Sequence, residues 1–432
     1  MKKLLRIDDT LSNKISYYHI LLFLIFLPFD RFYSELVMVS LCLHTLIHLQ
    51  KKQLRRLATR DLLVLQAVFL LTVLSTIYTS NKSYGVSMIT RQLAIFLFPL
   101  ILLLNPLDLS KYRQRIFYVF SITCIYTILY LYVDAFRTIS YNGLPVSAIL
   151  STAFFNHNFS LPLNLHATYL SMFAALSFSF LLIEFCRPST LQKRLLTGMG
   201  LLVLLAGLVQ LGSRAVMIAV VLIALLNCIF TGLRGRQRSL YIGAVLLGLA
   251  ACCTVIFSNT GLRNRYVRDL ENDLGETVQA NTVTPRMERW KLGFELVRSA
   301  PLIGHGSAAE TDLLSEKYFE HKFYNAFLFR LNSHNQYLSF LIRSGVVGLL
   351  IYLYILFSSF RRAYRRKDGL FACFLLLIAT VSFSENYLDL NKGIFFYAFF
   401  LGFFVLQKIK RRPAPPQALR AGNPREHSAV LT

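Results

Sequence analysis

The amino-acid sequence predicts an all-α, polytopic integral membrane protein, and three observations carry this prediction. Of its 432 residues, 55% are hydrophobic and 16% are charged, whereas a soluble chain usually has about 25% charged residues. The mean hydropathy is +0.51. Apolar runs recur along the chain, and their lengths are close to the roughly 20 residues that a helix needs to cross a bilayer. Because these runs lack the alternating polarity of barrel strands, and because lipid forces the backbone to bond within each segment, we expect helices.

Apolar runs bounded by charge predict about twelve transmembrane helices. Their approximate ranges are 16–30, 33–50, 61–79, 86–105, 116–134, 165–185, 196–212, 215–233, 239–257, 341–360, 369–384 and 393–408. Cytoplasmic connections concentrate Lys and Arg, and every second connection is basic when the amino terminus is placed inside. The basic clusters begin at Lys51, Lys111, Arg187, Arg234, Arg361 and Lys408. We therefore expect both termini in the cytoplasm.

The predicted organisation is a helical bundle over residues 1–412, with a large outer loop at 258–333 before the third-last helix. This loop is too long to be a mere connection, and we expect it to carry the chemistry. Residues 413–432 are Pro-rich and lack apolar periodicity. That composition predicts a disordered cytoplasmic tail.

The net charge of +24 comes from 46 Lys and Arg against 22 Asp and Glu. On a soluble chain this excess would suggest a nucleic-acid partner. Here the outer loop holds 10 basic and 10 acidic residues, so the whole excess lies outside it. The excess therefore indicates membrane topology and attraction to anionic lipid headgroups, and it excludes nucleic acid as the expected partner.

Within the outer loop, the spacing of Met287, Trp290, Phe294 and Val297 predicts one apolar stripe on a helix. The ordinary interpretation is a surface helix that packs on the bundle or rests at the bilayer interface. Arg286 and Arg289 would then lie on the polar face, toward the outer membrane surface or a cavity.

Three short motifs lie at helix ends or in the outer loop. Gly212-Ser213-Arg214 ends the seventh apolar run, and the eighth run begins at once. The segment PLIGHG at 301–306 predicts a turn. The segment SHNQYL at 333–338 leads the chain back into the membrane, where Gly345 and Gly348 follow.

These motifs resemble those of the O-antigen ligase and polymerase superfamily. HNxYL at 334–338 followed by GxxGL at 345–349 is similar to the re-entry motif of that family. RxxxW at 286–290 before PLxGxG at 301–306 is similar to its large periplasmic loop, and Ser213-Arg214-Ala215 resembles its short arginine loop. The motifs occur in the family's order, together with about twelve helices. Two departures are Arg343, where an acidic residue is common, and His305 within the turn.

The resemblance implies a membrane glycosyltransferase that moves a glycan from an undecaprenyl-diphosphate carrier to an acceptor hydroxyl, on the periplasmic side of a bacterial inner membrane. The first expectation is an O-antigen ligase, whose acceptor is lipid A core in lipopolysaccharide assembly. A repeat-unit polymerase, whose acceptor is a growing glycan, and a protein-glycosylating branch share the motifs. A transporter or flippase is the alternative of another class, but it should show repeat-related halves and ionisable residues at mid-membrane.

For this reaction the resemblance implies three catalytic residues. The permanently charged guanidiniums of Arg214 and Arg286 would hold the departing diphosphate, and His334 would accept the acceptor's proton. Further substrate contacts are expected from Arg289, Trp290, Asn335, Tyr337 and Glu385. Each has a plainer alternative: Arg214 would snorkel to lipid phosphate, and His334 would be a polar residue at a helix start.

Glu385 and Asp389 lie in the last outer turn, where they would contact acceptor sugar or form a solvated turn. No outer Asp-x-Asp and no His/Cys cluster with metal-ligand spacing occurs in the sequence. We therefore expect a reaction without metal or cofactor, in which the arginines replace the cation. The sequence also predicts a geometry: Arg214, Arg286 and His334 should meet within roughly 10 Å of a shared point in an outer cavity.

Overall fold

The computed structural model describes residues 2–230, 232–274 and 285–407, and these residues form helices and no strand. The all-α prediction is confirmed. A helix lies at each of the predicted apolar runs. In chain order these are α1 Leu11–Phe26, α2 Arg31–Ile47, α3 Arg60–Thr76, α4 Lys82–Leu104, α5 Leu109–Tyr141, α6 Ala167–Phe185, α7 Leu191–Leu211, α8 Arg214–Phe230, α9 Gly235–Ser258, α10 Gln336–Arg366, α11 Gly369–Val381 and α12 Asn391–Leu406.

Six of the described helices, α4, α5, α6, α7, α9 and α10, are long and apolar enough to cross a membrane. Four shorter apolar helices, α1, α8, α11 and α12, accompany them. The count of twelve spans and the cytoplasmic placement of the termini stay predictions. The predicted tail at 413–432 lies outside the described residues.

Local chemistry fixes where several of these helices begin. The carboxylate of Asp30 accepts a hydrogen bond from Phe32 N at 2.7 Å, and that of Asp108 accepts from Ser110 N at 3.0 Å. Such N-caps satisfy amide groups that have no partner inside the helix. Helix α7 ends at Gly212 in the left-handed conformation, with φ 59°. The chain can therefore turn sharply and begin α8 two residues later.

Alternate connections gather at opposite ends of the bundle. We call one end the site end; it comprises 27–30, 77–81, 142–166, 212–213, 259–274, 285–335 and 382–390. There the amide of Asn391 donates to Glu35 at 2.7 Å. At the other end, which we call the basic end, Arg113 pairs with Asp368 at 2.6 Å and Lys111 with Asp9 at 3.3 Å. The basic connections that were predicted to be cytoplasmic lie at this end. This holds for the described residues, which end at 407.

The last helix, α12, runs through the middle of the bundle, and its residues 392–405 are all buried. Its phenylalanines pack on those of four neighbours: Phe399 on Phe23 and Phe98, and Phe400 on Phe120 and Phe374. Aromatic pairs at these offset and edge geometries add to the ordinary burial of apolar surface. A rigid central helix thus carries the α11–α12 turn of the site end.

The outer loop contains two helices of functional interest. The first, Arg286–Ser299, is here called the loop helix; the second is Ala309–Glu320. The predicted apolar stripe on the loop helix is confirmed for Trp290 and Val297, which pack on a buried apolar cluster, and is wrong for Phe294. Its buried residues are Arg289, Leu292, Gly293 and Leu296, while Phe294 is 50% exposed. The buried face is one position away from the predicted one because the loop helix packs on Leu338 and Ile342 of α10 through Gly293.

Gly345 interrupts α10 with φ 62° and ψ −162°, which leaves backbone groups of this helix without helical partners. The turn predicted at 301–306 is confirmed, and it pairs with this break. His305 N donates to Ile342 O and Gly306 N to Arg343 O, each at 2.9 Å, and Val346 N donates to Pro301 O at 2.9 Å. A Cβ on Gly345 would collide with Leu302. The PLxGxG and Gly345 motifs therefore lock the loop to α10.

Candidate active site

Two arginines that lie far apart in sequence meet at one carboxylate. Arg214, the first residue of α8, donates from Nη2 to Asp273 Oδ2. Arg286, the first residue of the loop helix, has its Nε 3.4 Å from the same oxygen. The three side chains are 14%, 24% and 23% exposed for Arg214, Arg286 and Asp273. One carboxylate thus faces two guanidiniums at a partly open position, and we call this group the arginine pair.

The loop helix also positions the segment before His334. Arg289 is 3% exposed, and its Nη1 donates to Asn332 O at 3.3 Å. Trp290 Nε1 donates to Ser333 O at 2.9 Å. Of the two candidate arginines on this helix, Arg286 therefore reaches the arginine pair, and Arg289 holds backbone next to His334.

His334 has a strained backbone and an acidic neighbour. Its φ is 46°, a left-handed conformation that costs a non-glycine residue about 1–3 kcal/mol and that persists where the surroundings enforce it. Asn332 Oδ1 accepts from His334 N at 3.1 Å. The imidazole Nδ1 lies 3.4 Å from Glu385 Oε2. The loop thus orients the ring toward a carboxylate carried by the α11–α12 turn.

Glu385 is buried, so the solvated-turn alternative is wrong for this residue. Burial by itself would raise its pKa, but His334, His166 and Arg286 act against burial and lower the pKa to about 2. Burial lowers the pKa of His166 to about 4, against the raising effect of Glu385. At neutral pH Glu385 is therefore ionised and His166 is neutral.

A second group of ion pairs lies next to the segment that contains Ser333 and His334. We call Arg343, Glu310 and Asp389 the buried triad; Arg343 Nη2 lies 2.7 Å from Glu310 Oε2, and Nη1 lies 2.6 Å from Asp389 Oδ1. Glu310 is 1% exposed and also accepts from Ser333 N at 3.0 Å and Ser333 Oγ at 2.7 Å. Arg343, one of the two departures from the family pattern, thus has a structural role. Its charge is paired with two carboxylates, and one of these, Glu310, also binds Ser333.

Several donors around the candidate site have no hydrogen-bond partner. Within the described parts of the chain, these buried atoms include Arg214 Nη1 and Arg289 Nε. A buried donor that makes no hydrogen bond lowers the stability of the fold by about 1–3 kcal/mol. Donors of this kind, beside two guanidiniums that share one carboxylate, fit a site that receives an anionic group.

Two of the predicted substrate contacts have structural partners instead. Asn335 caps α10, and its Oδ1 accepts from Tyr337 N at 3.0 Å and Leu338 N at 3.2 Å. The Tyr337 hydroxyl donates to Ala379 O at 2.8 Å. These are contacts of positioning residues, and a role of either in binding substrate stays a prediction. The other departure, His305, makes a hydrogen bond to Leu296 O at 2.9 Å within the loop.

Sequence reasoning missed four residues near the site: Asp273, Arg265, Glu310 and His166. Arg265 donates to Gly212 O at 3.2 Å and so supports the turn before Arg214. Only Glu310 had a usable signal, because Arg343 inside an apolar run requires an acidic partner. Among the described residues, no three His, Cys, Asp or Glu side chains lie together as a metal-ligand set. Metal independence stays a prediction.

Residues 199–353 match the family model described as O-Antigen ligase, which confirms the resemblance to the O-antigen ligase and polymerase superfamily. The matched range includes Arg214, Arg286 and His334, together with the loop that joins them. No curated protein matches the chain. Residues 199–353 are thus similar to an O-antigen ligase domain, and members of that family are glycosyltransferase-like enzymes.

Proposed function

Because the chain carries an O-antigen ligase domain, we propose that it transfers an undecaprenyl-diphosphate-linked glycan to a hydroxyl of lipid A core at the periplasmic face of a bacterial inner membrane. One observation carries the proposal. The arginine pair and the His334–Glu385 contact lie at the same end of the bundle, and Arg286 acts electrostatically on Glu385. In this proposal the arginine pair is the anion site, and His334 is the proton acceptor at the same end of the bundle.

In the proposed reaction the arginine pair holds the leaving group. The acceptor oxygen forms a bond to the anomeric carbon while the bond from that carbon to the diphosphate oxygen breaks, and the electron pair leaves with undecaprenyl diphosphate. Arg214 and Arg286 stabilise this growing charge because guanidiniums bind phosphate through parallel hydrogen bonds and stay charged. The diphosphate takes the place of the Asp273 carboxylate between them.

His334 takes the proton of the acceptor hydroxyl. With Nδ1 facing Glu385 Oε2 at 3.4 Å, a proton on Nδ1 leaves Nε2 with a free lone pair. In the described residues Nε2 makes no hydrogen bond, so it is available to the acceptor. Glu385, whose pKa of about 2 keeps it ionised, stabilises the imidazolium that forms. This pairing of base and orienting carboxylate is common in enzymes that activate hydroxyl groups.

The experiment is a transfer assay with the purified full chain in lipid nanodiscs. The donor is an undecaprenyl-diphosphate-linked O-antigen glycan, and the acceptor is lipid A core. We expect the wild type to form the linked product and His334→Ala to turn over about 10² to 10⁴ times more slowly, the usual effect of losing a general base. His321→Ala is the matched control, because the His321 ring lies in an exposed turn, where its Nδ1 bonds to Lys317 O at 3.0 Å.

The products also separate the alternatives. Glycan lengthened on its carrier, without linkage to lipid A core, would identify a repeat-unit polymerase. Passage of the carrier across the membrane with no new glycosidic bond would identify a flippase. Equal turnover by the His334→Ala and wild-type proteins would remove His334 from the mechanism.

A further inference from the structure

A cavity opens at the site end, between segments that lie next to the candidate active site. Its volume is about 740 Å³, within the usual size of ligand pockets. It lies between the α1–α2 turn, the segment before α6, and the start of α12. Its polar and aromatic lining includes Asp30, Arg91, His166, Tyr169, Asn391 and Lys392.

Lys392 is a buried cation without a carboxylate partner. It is 9% exposed, and its Nζ lies 3.4 Å from Phe26 O and 3.2 Å from Ser34 Oγ. Among the described residues no carboxylate forms an ion pair with it. Glu35, the nearby acid, is already paired with Arg31 at 2.6 Å and with Asn391 at 2.7 Å. Asp30 and Glu35 act on Lys392 electrostatically without forming a direct ion pair with it. A buried charge without a direct counter-ion is costly, so an anion in this cavity would stabilise the site.

Two further sources of positive potential face the same cavity. Arg91 lines it and forms no ion pair among the described residues; its guanidinium lies 5.6 Å from the ring centre of Tyr84. Helix α12 begins at the cavity, and no side chain caps its amino terminus. Uncapped amides and the helix dipole favour an anion there. The lining also includes two acids: Asp30 caps α2 through Phe32 N, and Asp389 is paired with Arg343 in the buried triad.

The cavity is also connected to the proposed chemistry. His166 lines the cavity, and it acts electrostatically on Glu385, the partner of His334. The amide of Asn391 and the aromatic ring of Tyr169, which also line it, suit the hydroxyls and apolar faces of sugars. Thr168, two residues after His166, donates to Glu385 Oε1 at 3.4 Å, so a glycan in this cavity would lie close to the carboxylate that faces His334.

We propose that this cavity binds the acceptor, with Lys392, Arg91 and the start of α12 holding an anionic group, a phosphate or a carboxylate, carried by the acceptor glycan. This inference rests on the proposed function and deepens it. It makes the positive charge of the cavity a determinant of acceptor specificity, separate from the arginine pair that serves the donor.

The test uses Lys392→Met and Arg91→Gln in the full chain, with Lys392→Arg as the charge-preserving variant. Arg298→Gln is the control, since Arg298 is an exposed residue of the loop helix away from the cavity. Two acceptors are compared, a phosphorylated lipid A core and the same glycolipid after dephosphorylation. We expect each charge-removing variant to raise the acceptor KM about tenfold, the effect of one charge-assisted hydrogen bond, with kcat and the donor KM unchanged.

The dephosphorylated acceptor should bind the wild type and both charge-removing variants equally weakly, and Lys392→Arg should retain most of the wild-type KM. Unchanged acceptor KM in both Lys392→Met and Arg91→Gln would overturn the inference. So would phosphatidylglycerol vesicles that compete with the acceptor at equal affinity, because the cavity would then hold a phospholipid headgroup.

Binding measured directly separates this inference from the proposed function. Native mass spectrometry of the wild type with the phosphorylated glycolipid should show a complex that Lys392→Met weakens. If that complex forms while no transfer occurs, the proposed function fails and the anion site stands. If transfer proceeds and the complex is the same in every variant, the anion site fails and the proposed function stands.

Discussion

The site end holds two clusters of arginine and carboxylate that differ in their charge balance. The buried triad sets one guanidinium against two carboxylates, and Arg343 and Glu310 are 9% and 1% exposed. The arginine pair sets two guanidiniums against one carboxylate, at 14% to 24% exposure. A closed cluster without surplus positive charge is suited to holding the fold, whereas a partly open cluster with surplus positive charge is suited to receiving an anion. The same residue types are thus arranged to stabilise the fold in one place and, in the proposed function, to bind an anion in the other.

The largest effect is expected from breaking the buried triad. Arg343→Met leaves Glu310, which is buried, and Asp389 without their shared cation, which costs about 3–5 kcal/mol of folding free energy. Unfolding of the purified protein in mixed micelles, titrated with SDS, should shift by that amount, while the exposed-site variant Arg298→Met should behave as wild type. A wild-type unfolding curve for Arg343→Met would show that the triad does not hold the loop.

The arginine pair should respond in the opposite way, with folding retained and activity lost. Arg214→Ala and Arg286→Ala should each lower kcat by about 10² to 10³, because the contact strengthens as charge grows on the diphosphate. Lys at either position should restore activity only in part, since an ammonium lacks the fork of a guanidinium. Turnover in the transfer assay and unfolding in mixed micelles are measured together. Normal kcat in both Ala variants would leave these arginines as lipid anchors.

The smallest effect concerns Glu385, which belongs to neither cluster but faces both His334 and Arg286. Its pKa falls from 4.5 to about 2 in the folded protein. A lowered carboxyl pKa adds stability that is fully present above pH 4.5 and is lost as the pH falls toward 2. The stability difference between wild type and Glu385→Gln should therefore be constant from neutral pH down to pH 4.5 and shrink below it.

The control for this measurement is Glu316→Gln, since Glu316 is exposed on the second helix of the outer loop. Its stability difference from wild type should stay near zero across the whole pH range. A difference for Glu385→Gln that does not change below pH 4.5 would mean that His334, His166 and Arg286 do not stabilise the carboxylate.

The sequence by itself determined the helices and the motifs that carry the family resemblance. Each predicted apolar run lies in a helix, because run length, flanking charge and caps such as Asp30 are local properties of the chain. The turn at 301–306 was also predictable, since its glycines lie at fixed positions in one short segment. Arg214, Arg286 and His334 were predicted from the family resemblance together with the chemistry of their side chains.

Only the tertiary structure decided how these residues are paired. Asp273 meets Arg214 and Arg286, Glu385 meets His334, and Glu310 meets Arg343. Such contacts join segments that are distant in the chain, so no local periodicity encodes them. The same reason explains the wrong face predicted for the loop helix: a charged residue, Arg289, is buried because distant backbone supplies the Asn332 carbonyl as its acceptor. Hydropathy predicts which residues prefer lipid, but the partners that make burial of a charge tolerable come from the fold.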